Sequence, residues 1–233
     1  MLRSPCTRRG FLVKGSALAV GLATLKVGQV LAAPATQEAE QEVTANEDLM
    51  REHGLLERLL LILEEGHRRL LAGEEPPVEA LAATQEIIDR FFHGYHEKDE
   101  EEHIFPPLIK ADKEKKTVEL LIIQHKAGRE LSVRIKKLTD AQVLKEPDNR
   151  KKLAALLMQN SRMYRPHMAR EDTIVFPLFK ETVGPGQYDR AGDDMEEKEH
   201  EVLGADGFEK AVVQVAKIEQ QLGIGDLAKF TAE

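Results

Sequence analysis

Two stretches of the chain concentrate side chains that hold metals or carry protons: "YHEKDEEEHIFPPL", Tyr95 to Leu108, and "YRPHMAREDTIVFPLF", Tyr164 to Phe179. In the first, His96 is followed by Glu100, Phe105 and Pro106; in the second, His167 is followed by Glu171, Phe176 and Pro177 at the same spacings. Upstream, His53 precedes His96 by 43 residues and His125 precedes His167 by 42. One pattern therefore occurs twice, offset by 71 or 72 residues, as an internal repeat of a helix pair. Imidazole with carboxylate and no sulfur suits iron, zinc or manganese. The only cysteine, Cys6, lies near the start of the chain, so thiolate chemistry and an internal disulfide are excluded downstream of it.

The composition points to helices as the elements that position these groups. Tryptophan is absent, aromatic residues make up 5% and charged residues 32%, which suits amphipathic helices better than strands. Asn46 reads as an N-cap ahead of a stripe of Leu49, Leu56, Leu59, Leu60 and Leu63, fading near Gly73. A second helix is expected from Pro77 to about His103, with Leu81, Ile87, Ile88, Phe91 and Phe92 inward and Pro106 stopping it. The third spans about Lys116 to Leu138, through Leu120, Leu121, Ile123, Leu131 and Ile135; the fourth spans Asp148 to Phe176, with Pro166 inside. The expected fold is all-α, an antiparallel up-down-up-down four-helix bundle over 46–180 with an additional C-terminal helical region over 181–233, helical from about Asp193 to Leu222.

In such a bundle the start of one helix lies beside the end of the next. His53, His96, Glu100, His125, His167 and Glu171 would then fall at one level, with residues at i and i+4 sharing a helix face. Burying two carboxylates and four imidazoles together without compensation is very costly, and a pair of cations removes that cost. The two glutamates, from opposite halves, could bridge such a pair while the histidines cap each ion.

Residues 1–33 carry Arg3, Arg8, Arg9, Lys14 and Lys26 and no acid, and their removal takes the formal charge from -8 to -13. "TRRGFLVK" followed by a short uncharged run and "VLAAPA" resembles a bacterial twin-arginine signal peptide. It implies the twin-arginine export machinery as partner, a periplasmic or secreted location and no stable membrane insertion once the signal is removed. Residues 34–45 read as a flexible tether. An acidic remainder disfavours nucleic acid as a partner.

"REHG", "HEKDEEEHIFP", "QHKAGRE" and "HMAREDTIVFP" together resemble the hemerythrin-like, HHE cation-binding family over about Asp48 to Lys180. The resemblance implies a non-haem di-iron centre with His53, His96, Glu100, His125, His167 and Glu171 as iron ligands and Glu100 and Glu171 as bridges. The sequence departs from the respiratory members at two points. Arg129 stands where they place a further histidine, and the fourth helix offers His-x-x-x-Glu in place of their His-x-x-x-x-Asp, which argues against reversible oxygen carriage. The expected function is binding of oxygen or a related small ligand, such as peroxide or nitric oxide, for sensing, scavenging or iron handling. A di-iron enzyme (peroxidase, oxidase, nitric oxide reductase or ferroxidase) is the rival, and a helical interaction protein binding zinc is the third reading. No further motif decides whether the chain is an enzyme.

Other residues invite competing assignments. His93 and His103 share a helical stripe with His96 and Glu100, as supporting groups or alternative ligands. Glu100 to His103 and Glu197 to His200 have the Glu-x-x-His spacing of ferritin-like sites, a rival that leaves His53, His125 and His167 unexplained. His67 reads as solvated, and Asp99 to Glu102 as a solvated face from which Glu100 alone turns inward. Glu57 and Arg129 occupy equivalent places and are expected to pair across the bundle, the alternative being a site-facing Arg129.

Overall fold

The computed structural model describes residues 43–232. The signal peptide and nearly all of the tether expected ahead of the helices lie outside the described residues. Among the described residues nine α-helical segments occur, named in order α1 (Ala45–Ala72), α2 (Val78–Ile87), α3 (Glu97–Asp99), α4 (Phe105–Lys110), α5 (Lys115–Leu138), α6 (Pro147–Arg170), α7 (Phe176–Val183), α8 (Pro185–Leu203) and α9 (Gly207–Leu222). Among the described residues there is no strand, and no helix is long and apolar enough to cross a membrane.

Thr44, rather than Asn46, caps α1. Its side chain accepts from the Glu47 amide while the Glu47 carboxylate accepts from the Thr44 amide, a reciprocal capping box. Asn46 instead lies inside the first turn and donates its side-chain amide to the Phe176 carbonyl. The C-terminal end follows the sequence closely, because Gly73 takes the left-handed conformation, φ 73°, that closes the helix.

Pro106 does not stop the second helix. The path from Val78 to Lys110 is continuous, α2 leading through π-helical turns at Ile88–His96 and Glu100–Ile104 into α4. The fourth path likewise runs from Pro147 to Val183, with a π turn at Glu171–Val175 between α6 and α7. Each metal-type glutamate opens a π turn, and each Phe-Pro follows it. The Phe105 amide bonds back five residues to the Glu100 carbonyl, and the Phe176 amide to the Glu171 carbonyl. A π turn takes in one extra residue. That loosened turn absorbs the missing proline N–H and ring clash that would otherwise break the helix.

The stripe on α5 also differs from the expectation. Leu120 and Ile123 are 53% and 62% exposed, while Val118, Leu121, His125, Gly128, Leu131, Ser132 and Ile135 face inward. Spacings of three and four through His125 and Gly128 define the buried face, and neither residue counts as apolar in a hydrophobic reading.

α1 packs against α6, α5 against α6, and the second path against α1 and α5. α9 covers α1 and α2, and α8 lies against the π turn at Ile88–His96 and against α7. The apolar side chains separate into two cores. One contains Leu59, Leu60, Leu63, Leu81, Ile88, Leu157 and, from α9, Val215. The other contains Leu49, Phe105, Leu108, Leu121, Phe176, Phe179 and, from α8, Tyr188. The histidines and glutamates form the layer between them, and the C-terminal helices contribute to both cores rather than standing apart.

Leu59→Ala should lower stability by about 2–5 kcal/mol, since the side chain is wholly buried and its removal leaves a cavity. Leu120→Ala should stay within about 0.5 kcal/mol of the parent. Denaturant melts check the buried stripe of α1 with the first variant and the reassigned face of α5 with the second.

Candidate metal centre

The six residues singled out by their spacing come together. Among the described residues, Glu100, His125, His167 and Glu171 form one group with ligand atoms in mutual reach, and His53, His96 and Glu100 form another, so Glu100 belongs to both. Nε2 of His53 lies 3.1 Å from Nε2 of His96, and Nε2 of His125 lies 3.2 Å from Nε2 of His167. Glu100 directs Oε1 at His96, 3.5 Å, and Oε2 at His125, 3.2 Å. Glu171 directs Oε1 at His167, 3.0 Å, and Oε2 at His53, 3.5 Å. Each carboxylate thus spans both histidine pairs, and all six side chains are buried.

The outer nitrogens decide the tautomers. Nδ1 of His53 faces Asp172 at 2.7 Å, that of His96 faces Glu52 at 2.6 Å, that of His125 faces Glu101 at 3.1 Å, and that of His167 faces Oε1 of Gln124 at 3.0 Å. All four partners are acceptors, so Nδ1 carries the proton and donates, which leaves each Nε2 with a lone pair pointing inward. Two lone pairs 3.1 Å apart repel unless a cation or an added proton lies between them. The oxygens of Glu100 and Glu171 are also buried and accept no hydrogen bond. This donor set fits a pair of metal ions, with orphaned acceptors facing inward and hydrogen-bonded orienting groups outside.

Aromatic rings hold the histidines in plane. Phe176 stacks on His53 at 5.5 Å and Phe105 on His125 at 5.6 Å, so each Phe-Pro step of the repeat packs on the early histidine of the other half.

The orienting acceptors were not found from the sequence, although the repeat carried the signal. Glu52 and Gln124 each immediately precede an early histidine, and Glu101 and Asp172 each immediately follow a glutamate ligand candidate. His93 and Tyr164 are likewise equivalent, each three residues before a late histidine. Their side chains meet, Nε2 of His93 to the Tyr164 hydroxyl at 3.1 Å, and that hydroxyl donates to Glu97 at 2.8 Å. His93 is therefore tied to Tyr164 and, through Nδ1, to Asp89 at 3.1 Å.

Several expectations are corrected here. Arg129 pairs with Glu97 at 2.5 Å and Glu101 at 2.9 Å, while Glu57 pairs with Arg165 at 2.8 Å. Arg129 accordingly neither meets Glu57 nor supplies a ligand; it braces two carboxylates on the outer side of the layer. His103 groups with Asp99 and Glu102, away from the glutamates of the layer. Asp99 is buried together with Glu100, because the π turn shifts the helical phase and brings neighbouring faces inward. His67 is partly buried, and its Nδ1–H donates to the Ala154 carbonyl at 2.8 Å.

The Hemerythrin HHE cation binding domain model matches residues 44–179. The chain belongs to that family. The chain is also similar to an uncharacterized protein of Mycobacterium bovis and one of Mycobacterium tuberculosis, each 42% identical over 196 residues, 84% of this chain and 77% of theirs. No solved structure matches the chain. The family match covers all six residues of the layer, and the cluster in this HHE domain is of the kind that binds cations.

Without a cation, the cluster must hold protons instead. Burial depresses His96, but Glu100 and Glu52 outweigh it and push the imidazole up to about 9. His125, also opposed by burial, is pushed up to about 10 by Glu100 and Glu101. Burial and the neighbouring His125 drive His167 down to about 3. Burial and the facing Glu100 hold Glu171 well above the usual carboxylate range. Ligation requires neutral imidazole and ionised carboxylate, so uptake must expel protons from His96, His125 and Glu171. Titrating the metal-free protein with a divalent metal at pH 7 in weak buffer should release about two to three protons per chain. Affinity should rise with pH towards 10, measured by pH-stat and competition with a chelator.

Gly128 makes room for the tyrosine. A Cβ there would lie 1.9 Å from the Tyr164 hydroxyl oxygen. Burial and Glu97 raise the Tyr164 pKa well above the ordinary value. Gly128→Ala should destabilise by about 1–3 kcal/mol. It should also return the phenol towards its ordinary pKa of about 10, read by ultraviolet titration.

Proposed function

We propose that this HHE protein uses an antiparallel up-down-up-down bundle, built from helical paths 45–72, 78–110, 115–138 and 147–183, to hold two iron ions and bind oxygen or a related small ligand such as peroxide or nitric oxide. The observation that carries the reading is the division of each glutamate between the two histidine pairs. A single ion would need only one such set, whereas two shared carboxylates and two imidazole pairs match two neighbouring ions. Iron best suits this N/O donor set in this family, with zinc and manganese as the alternatives.

When bound, an iron pair supplies electrons and Lewis acidity in a buried setting. His53 and His96 would cap one ion and His125 and His167 the other, while Glu100 and Glu171 would span both. Beside the layer, His53, His96, Leu56, Phe92, Tyr164 and Met168 border a cavity of about 10 Å³. That is about the room one water-sized species needs, which supports a very small ligand over a larger one. Leu56, Phe92 and Met168 keep bulk water out, and the Tyr164 hydroxyl, protonated and donating to Glu97, fixes a polar edge on the same cavity.

One observation favours catalytic turnover, as peroxidase, oxidase, nitric oxide reductase or ferroxidase, over simple binding. Tyr164, His93 and Asp89 are linked by hydrogen bonds, and Asp89 pairs with the half-exposed Lys136 at 2.6 Å. That line supports proton exchange between the cavity wall and solvent. The proposal includes export through the twin-arginine-type leader to the periplasm or beyond, which suits a protein loaded with metal before it leaves the cytoplasm.

Protein expressed with ample iron and purified without a histidine tag should hold about two irons per chain and absorb in the near ultraviolet. His96→Ala and His167→Ala should lose the metal and lower the melting temperature, whereas His200→Ala should retain both. One zinc per chain with no iron would defeat the iron assignment.

A further inference from the structure

Outside the layer of six residues, another set of donors converges on the second helical path. Asp99 ends α3, and Glu102 and His103 lie in the π turn Glu100–Ile104 that follows it. One ligand atom from each lies within 4.8 Å of the other two. Metal–ligand bonds of about 2.1 Å place the ligands of one ion roughly 3–4.2 Å apart, so small adjustments at the two outer side chains close the set.

Asp99 is the residue that demands a partner. It is 1% exposed, and neither carboxylate oxygen accepts a hydrogen bond. Buried carboxylates without partners are costly and rarely left so. The nearby ammonium of Lys198 does not serve it with a hydrogen bond; Lys198 reaches Glu102 instead, at 3.3 Å. Glu102 and Lys198 are half and one-third exposed, so that pair is readily exchanged for another counter-charge. Access is present as well. Glu102 and His103 line an open cavity of about 760 Å³ between α4, α7 and α8, so an ion can arrive from solvent at these two donors, each of which has a ligand atom within 4.8 Å of one on Asp99.

We infer that Asp99, Glu102 and His103 form a separate mononuclear site for a divalent transition-metal cation on the outer face of the second helical path. One imidazole with two carboxylates and no sulfur selects zinc, manganese or ferrous iron over calcium and magnesium, which prefer oxygen alone. The cation replaces Lys198 as partner of Glu102 and supplies Asp99 with the partner it lacks. Open positions remain filled by water from the cavity, since three protein donors do not complete a coordination shell. The inference goes beyond the proposed function and stands on different residues.

The test is zinc uptake by the full chain, measured by equilibrium dialysis and elemental analysis after iron loading. The parent should take up one zinc per chain more than a Glu102→Gln, His103→Ala double variant. A variant carrying His53→Ala and His125→Ala, defective in the central layer, should keep that zinc. Asp99→Asn preserves shape while removing the charge, so it should weaken zinc binding by roughly tenfold or more with an unchanged or higher melting temperature of the metal-free protein. Equal zinc uptake by the parent and the double variant overturns the inference, as does parental affinity in Asp99→Asn. Absence of iron from the central layer of the iron-loaded parent, with the outer zinc retained, would count against the proposed function and leave this site standing.

Discussion

Two carboxylates that accept no hydrogen bond, enclosed with four inward-pointing imidazole lone pairs, set the terms for everything around them. Such a layer repels itself in a low-dielectric interior unless positive charge enters it. The apolar cores on either side cannot relieve it, because they exclude water; they hold it rigid instead. The fold therefore tolerates a concentrated polar defect across its middle, and tolerates it because a cation converts the defect into a binding energy.

Rigidity is delivered twice over by the same means. An acidic or amide acceptor fixes each Nδ1, and an aromatic ring fixes the plane of each early histidine. Beyond these, Arg129 ties Glu97 to Glu101, so one cation outside the layer restrains both the Tyr164 acceptor and the His125 acceptor. Arg129, four residues after His125, thus acts as a brace between two carboxylates.

Much of this was legible in the residues, and the parts that were not share a cause. Helical class, the extent of α1 and α5, and the convergence of His53, His96, Glu100, His125, His167 and Glu171 follow from periodicity and duplication, both of which survive any local irregularity. The burial of Asp99 and the passage of the helix through Pro106 did not follow, because a 3.6-residue period presumes one unbroken phase. A π turn adds a residue and resets that phase, and it falls where the glutamates and prolines are. Glu52, Gln124, Glu101 and Asp172 escaped for a different reason. Charged and amide residues beside a ligand candidate read as solvent-facing, and only the comparison of the two halves singles them out.

The crossing of aromatic rings and acids between halves carries a consequence for assembly. Phe176 and Asp172 close on His53, while Phe105 and Glu101 close on His125. Either helix pair alone would have its late histidine oriented from within and its early histidine left loose. What the first pair lends the second is returned in kind, which is the reciprocity of an isologous contact between identical subunits. Each half of the repeat thus completes the surroundings of the other's early histidine, and the polar layer is whole only where the two halves meet.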